Sequence, residues 1–146
     1  MIANSVYNLG DVITTNTNLD DIYSKENGSY VEGDNPIKTT NSNMKIALMY
    51  TSDYGYSVDS RCTENPIDYN VNDLCKESGT WLYKGVNEWT LSPRSTTFAS
   101  YINQSGSLLY TFAYSGREVR PTLYLRPTVF IESGEGTSGN PYILNM

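Results

Sequence analysis

Apolar residues along this chain fall into short clusters separated by polar stretches, and the spacing within each cluster predicts its element. Residues 1–16 read as strand and turn, with Val6-Tyr7-Asn8-Leu9-Gly10 and Val12-Ile13 as the apolar pieces. Residues 18–28 carry the helical pattern. Asn18 can cap the start, Leu19, Ile22 and Tyr23 share a face, and Gly28 can end it. Residues 29–43, with Gly33, Asp34, Asn35 and Pro36, read as loop. The continuous apolar run at residues 45–50 suits a central strand or the start of a buried helix, and Ser52-Asp53-Tyr54-Gly55-Tyr56 suits one capped helical turn. A long polar excursion covers residues 57–80. From Trp81-Leu82-Tyr83 onward the pattern is β-like, through Glu88-Trp89-Thr90-Leu91-Ser92. Residues 97–103 and 107–114 flank Gln104-Ser105-Gly106, which predicts a hairpin. Ser115-Gly116 turns the chain again. Residues 119–125 form a strand pattern broken by Pro121, so that proline belongs at a strand edge or start. Turn-rich residues 134–141 precede a closing Tyr142-Ile143-Leu144.

These elements define an α+β fold of short helices and small antiparallel sheets with long loops. Its 146 residues show no repeat, no heptads and no second-domain boundary, so residues 1–146 are expected to form a single extracellular domain. Composition narrows the partners. There are 13 Tyr against 3 Phe and 2 Trp, which suits strands and surfaces that bind through rigid rings with a polar tip. Net charge is −6 and the 10 basic residues are scattered, so a nucleic-acid partner is excluded. No apolar run approaches a membrane span, so direct membrane insertion is excluded too. The chain starts with Met1-Ile2-Ala3-Asn4 directly before strand-like sequence, and it reads as an ectodomain lacking its export or anchoring segment. Cys62 and Cys75 enclose a polar loop. A disulfide between them would staple the excursion and implies an oxidising compartment.

Catalysis finds little support. There is no His, the commonest general base and metal ligand, and no Gly-x-Ser-x-Gly elbow. The stretch Gly134-Glu135-Gly136-Thr137-Ser138-Gly139 lacks the spacing and the Lys of a phosphate loop. Asp53, Asp59, Glu64, Asp68, Asp73 and Glu88 offer carboxylates of the kind a glycosidase pairs, but acids are common in any acidic chain. Asp59, Glu64, Asp68, Asn70, Asn72 and Asp73 crowd the stapled loop with the oxygen ligands that calcium takes, but they match no EF-hand, and a solvated acidic loop is the favoured reading over a calcium site. Neither a cofactor nor a metal is expected.

Three segments carry a family resemblance. They are residues 45–56, then Trp81-Leu82-Tyr83 with residues 87–93, then Val119-Arg120-Pro121-Thr122-Leu123-Tyr124-Leu125 closed by Gly134-Glu135-Gly136-Thr137 and Asn140-Pro141-Tyr142. Their order resembles a domain of surface and pilin-like proteins of gut bacteria, across residues 30–146. The Trp…Ser-Pro…Gly…Val-Arg-Pro skeleton is similar to the C-type-lectin-like fold of the formylglycine-generating-enzyme group. The catalytic cysteines of that group have no counterpart here, and the calcium-lectin tripeptide is missing. The resemblance therefore implies a C-type-lectin-like core without activity. Trp81 and Trp89 would anchor the core, and Pro93 and Pro121 would mark strand ends. Arg120, set between apolar residues, needs a partner and is expected to clamp backbone carbonyls or an acid such as Glu88.

In such folds the excursions around the last hairpins form the binding face, here Phe98, Tyr101, Asn103, Tyr110, Phe112, Tyr114 and Arg117. Alternation turns Ile102 and Leu108 inward and Tyr101 and Asn103 outward. Adjacent Leu108 and Leu109 leave the parity of Tyr110, Phe112 and Tyr114 open. The expected function is a non-catalytic ligand-binding or adhesion module of a bacterial cell surface, with a protein or glycan partner. The alternative is a structural pilin-like subunit contacting other subunits of a pilus or surface assembly. An atypical enzyme ranks third. An exposed aromatic cleft would favour the first, a flat polar surface the second, and a buried acid pair in a pocket the third.

Overall fold

The computed structural model describes residues 2–9, 13, 18–29, 31–32, 35–36, 41–76, 80, 82–137 and 139–145. Within them the fold is mixed α+β, mostly β, with short helices and small antiparallel sheets joined by loops. The elements in chain order are β1 (Ser5–Asn8), α1 (Leu19–Asn27), β2 (Val31–Glu32), β3 (Asn35–Pro36), β4 (Asn41–Met44), β5 (Ala47–Leu48), α2 (Thr51–Tyr56), a 3-10 turn (Pro66–Val71), β6 (Glu88–Pro93), β7 (Phe98–Ile102), β8 (Leu108–Phe112), β9 (Pro121–Thr122), β10 (Phe130–Ser133) and β11 (Ile143–Asn145).

The ends of α1 follow the expected capping. Asn18 Oδ1 accepts the Asp21 N–H at 2.9 Å, and Gly28 closes the helix at φ +77°, a conformation other residues rarely adopt. Asp20 and Asp21 in the first turn and Lys25 in the last complement the helix dipole. The buried side differs from the expected stripe. Ile22, Lys25 and Glu26 turn inward, whereas Tyr23 is half exposed and meets Tyr56 edge to face at 5.9 Å. The helical turn expected at residues 52–56 is α2, one residue longer at its start.

The largest sheet is the antiparallel β6-β7-β8. Its hairpin register pairs Phe98 with Phe112, Ser100 with Tyr110 and Ile102 with Leu108, around the expected turn at Gly106. Gly106 sits at φ +84°, and a Cβ there would lie 2.8 Å from Lys76 Cβ, so both conformation and space demand glycine. Ile102 and Leu108 point into the core as alternation requires. That core joins them to Ile13, Ile22, Met49, Tyr54, Tyr69 and Cys75. Tyr54 is buried but keeps its hydroxyl satisfied by donating to the Gly106 carbonyl at 3.0 Å. The described part of the excursion, residues 57–76 and 80, is packed rather than loose. Cys62 and Cys75 form a disulfide, and Pro66 and Tyr69 of the 3-10 turn are buried. Asn70 and Ser107 bond to each other and so tie that turn to the start of β8.

Arg120 takes both of its expected partners. Its Nε donates to Glu88 Oε1 at 2.7 Å, and its Nη2 donates to Glu88 Oε2 at 2.5 Å and to the Leu82 carbonyl at 2.8 Å. Pro93 is the last residue of β6 and Pro121 the first of β9, positions that need no ladder N–H. Trp89 is half-buried, packed edge to face on Tyr101 at 6.0 Å. Trp81 lies outside the described residues.

Three expectations are corrected. The apolar run at residues 45–50 is not a central strand. Only Ala47–Leu48 pairs, with β9, and Ile46 is 51% exposed; the run leads straight into α2. The stretch at residues 29–43 is not all loop, because polar β4 pairs residue for residue with β1 from Ser5↔Met44 to Asn8↔Asn41. Tertiary pairing overrides the poor strand propensity of Asn and Ser there. In residues 119–125 only Pro121–Thr122 is strand, and β10, which the sequence reading missed, pairs with the closing β11. Phe130, Ile131, Ile143 and Leu144 of this last hairpin are all exposed.

Reducing the Cys62–Cys75 bridge should cost about 3 kcal/mol, read as a lower midpoint in urea titrations with a thiol reductant than without. Arg120→Met should destabilise by about 3–5 kcal/mol, because Glu88 is 5% exposed and would lose its countercharge. The double variant Glu88→Leu/Arg120→Met should recover much of that loss in the same titration.

Candidate functional site

The seven side chains expected to form one binding face divide into three groups. Phe98, Tyr110, Phe112 and Tyr114 stand together as a row. Phe98 stacks on Phe112 at 4.3 Å, Phe112 stacks on Tyr114 at 5.0 Å, and Tyr110 meets Phe98 edge to face at 5.8 Å. Arg94 caps the row, its guanidinium 4.5 Å from the centre of the Tyr110 ring while it also donates to the Ile13 carbonyl. The register settles the parity that Leu108 and Leu109 left open. Tyr110 and Phe112 share a face with Leu108, but the core reaches only the Ile102–Leu108 end of the hairpin. Beyond it the rings emerge, with Tyr110 at 44%, Phe112 at 42% and Tyr114 at 83% exposure.

Tyr101 and Arg117 form a second group on the opposite face. Tyr101 faces away from Ile102, as alternation requires, but it is not exposed. Trp89 packs on its edge and the Arg117 guanidinium lies 4.6 Å over its ring, leaving Tyr101 9% accessible. Asn103 belongs to neither group. Its Oδ1 accepts the N–H groups of Ser105 and Ser107, both at 2.9 Å, which makes it a turn residue.

A cleft of about 450 Å³ opens on another side of the molecule, beside α2. Tyr7, Tyr50, Tyr56, Tyr124, Asp53, Leu48 and Arg120 contribute to its wall. The rings of Tyr50 and Tyr124 lie 6.4 and 5.7 Å from that of Tyr7. Asp53 Oδ2 accepts the Tyr50 N–H at 2.9 Å, which fixes the first turn of α2. Burial raises the Asp53 carboxyl above its ordinary pKa and pushes the Tyr50 phenol up to about 12. The Tyr50 oxygen accepts the Asn8 N–H at 2.8 Å, joining β1 to the cleft. Nothing local in the sequence marks these residues as a group. The high tyrosine count was the only hint, because Tyr7, Tyr50 and Tyr124 meet through the pairings of β1 with β4 and β5 with β9.

A smaller adjoining recess shares Tyr50, Asp53 and Tyr124 and adds Glu26. Glu26 is 2% exposed, and burial pushes its carboxyl up to about 7 despite the hydrogen bonds that favour its charge. Oε1 accepts from Thr51 N at 3.0 Å and from the Ser92 hydroxyl, and Oε2 accepts from Ser52 N at 3.2 Å. Both oxygens are committed to joining α1, α2 and β6. Glu26 and Asp53 thus share a recess as two acids raised by burial, and the hydrogen bonds of Glu26 make it a structural strut between the three elements.

Among the described residues no group of three or more His, Cys, Asp or Glu side chains could hold a metal ion. Comparison with protein-family models, with characterised proteins and with solved structures returns no match. The functional reading therefore rests on the geometry of this chain.

The raised Glu26 pKa has a consequence with a definite sign. Between pH 4.5 and about 7 the folded state keeps a proton that the unfolded chain has lost. Stability should therefore fall as pH rises through that window and level off above it, by an amount on the order of 3 kcal/mol. Asp53 contributes in the same direction. Glu26→Gln keeps an acceptor but cannot titrate, so urea midpoints measured from pH 5 to 8 should show a much flatter profile than the parent chain.

Proposed function

We propose that this chain is a non-catalytic ligand-binding domain of an extracellular bacterial surface protein, with a C-type-lectin-like core. It engages a glycan or protein partner through Phe98, Tyr110, Phe112 and Tyr114. The observation that carries this reading is the row those rings form at the end of the β7–β8 hairpin, with Tyr110, Phe112 and Tyr114 exposed and half-buried Phe98 in ring contact with Tyr110 and Phe112. Aromatic rings exposed together on a rigid strand pair offer large contact area at low entropic cost, the usual make-up of a binding hot spot. The Arg94 guanidinium fixes Tyr110 in advance. The disulfide fits an oxidising, extracytoplasmic setting, and no described helix is long and apolar enough to cross a membrane.

One observation favours the alternative of an appendage subunit. The β10–β11 hairpin exposes Phe130 and Ile131 on one strand and Ile143 and Leu144 on the other, and a lone two-stranded hairpin is marginal in water without something packed on it. The two readings are separable. On glycan and protein arrays, Phe112→Ala and Tyr114→Ala should each lower binding by about tenfold or more, with thermal melts unchanged. Array binding that survives both substitutions removes the aromatic row as the contact. Self-association with no array ligand favours the appendage subunit.

A further inference from the structure

We propose that the tyrosine-walled cleft beside α2 is a second binding site, separate from the aromatic row, that receives an alkyl ammonium group bearing N–H donors. A lysine side chain and an amino sugar both present that group.

Three independent features of the cleft agree on this chemistry. The first is an unmet polar atom. Tyr7 lines the cleft and is 1% exposed, yet its hydroxyl has no hydrogen-bond partner among the described residues. Buried polar atoms are nearly always paired, so an exception at the wall of a cleft points to a partner arriving from outside the chain. The second is charge. Among the described residues Arg120 is the only basic one in the wall, and Glu88 and the Leu82 carbonyl already occupy its guanidinium. Asp53 makes no ion pair among the described residues, and one of its oxygens has no donor there. The wall thus carries one unbalanced negative charge. The phenols of Tyr7, Tyr50 and Tyr124 register it, since each is raised by burial and further by the charge of Asp53. The third is the set of rings. The Tyr7 ring has those of Tyr50 and Tyr124 at 6.4 and 5.7 Å between centroids, and Tyr56 also lines the cleft. Aromatic faces are negative and attract cations.

Other ligand classes fit less well. An anion would meet Asp53 with no available cation. A neutral hydroxylated ring could stack on the tyrosines and bond to Tyr7, but it would leave the carboxylate charge unbalanced in a partly buried place. An ammonium meets all three features together, by donating to Asp53 and to the Tyr7 oxygen while its methylenes rest on the rings. A volume of about 450 Å³ accommodates such a head group with several carbons attached.

The test is an NMR titration of the tyrosine ring resonances at low ionic strength. The probes are Nα-acetyl-lysine amide and glucosamine, each paired with its N-acetylated, uncharged counterpart. At least one ammonium probe should saturate and bind roughly tenfold or more tightly than its acetylated partner. The preferred amine tells a protein lysine from an amino sugar as the source. Asp53→Asn keeps an acceptor for the Tyr50 N–H and should weaken the amine by about tenfold. Tyr124→Leu should weaken it as well, and Phe112→Ala should leave it unchanged. Equal binding of charged and acetylated forms, or no saturable shift with either amine, overturns the proposal. Loss of array binding through the aromatic row would leave this result untouched.

Discussion

The Glu26 carboxylate is where the last turn of α1, the first turn of α2 and strand β6 meet, and each of its oxygens is held by donors from elsewhere in the chain. A carboxylate is demanding to bury. It is tolerated here because the open N–H groups at the start of a helix and a serine hydroxyl surround it. Its geometry sets the position of α2, and α2 in turn supplies Tyr54 to the core and Asp53 and Tyr56 to the cleft. The neighbouring contacts extend the same polar seam. Thr51 and Thr90 share a hydrogen bond at 3.0 Å, and Thr90 donates onward to the Ser100 carbonyl at 3.0 Å. The helices are thus locked to the sheet by a connected network rather than by oil alone. Such a network specifies one arrangement strongly, because any slip strands several buried groups at once.

The composition of the core follows from this. With 3 Phe and 2 Trp in the chain, bulk has to come from tyrosine, and Tyr7, Tyr54 and Tyr69 are among its largest fully buried side chains. Each brings a hydroxyl into the interior. Tyr54 spends its own on the turn at Gly106, which couples helix and hairpin. Burial raises the Tyr54 and Tyr69 phenols, to about 12 in Tyr69, so both stay neutral across ordinary conditions. Arg120 and Glu88 follow the same rule for charge, entering as a two-pronged pair and keeping one further donor for a carbonyl.

Features decided within a few residues were readable from the sequence. The caps of α1, the short helix α2, the β7–β8 turn, the proline positions and the cysteine pair all depend on local chemistry. The partners of Arg120 were readable as well, because a cation among apolar residues needs carbonyls or an acid to hold it. What depended on distant pairing was not readable. Asn41–Met44 is a strand only because β1 lies beside it. Ile46 is exposed although Met49, three residues on in the same run, is in the core. For the binding face, alternation set the direction of Tyr101 correctly but said nothing of what covers it, since Arg117 folds back over the ring from beyond the hairpin. The cleft was invisible for the same reason, its walls being drawn from both ends of the chain.

The stapled excursion also bears on how the molecule would survive a protease. Residues 63–74 lie between the two bridged cysteines, so a single cut there breaks the backbone without releasing either half. The nicked ends stay bound by the sulfur link and by the packing of Tyr69 and Pro66 against the body of the fold. The most extended polar segment of the chain is therefore also one where damage is contained.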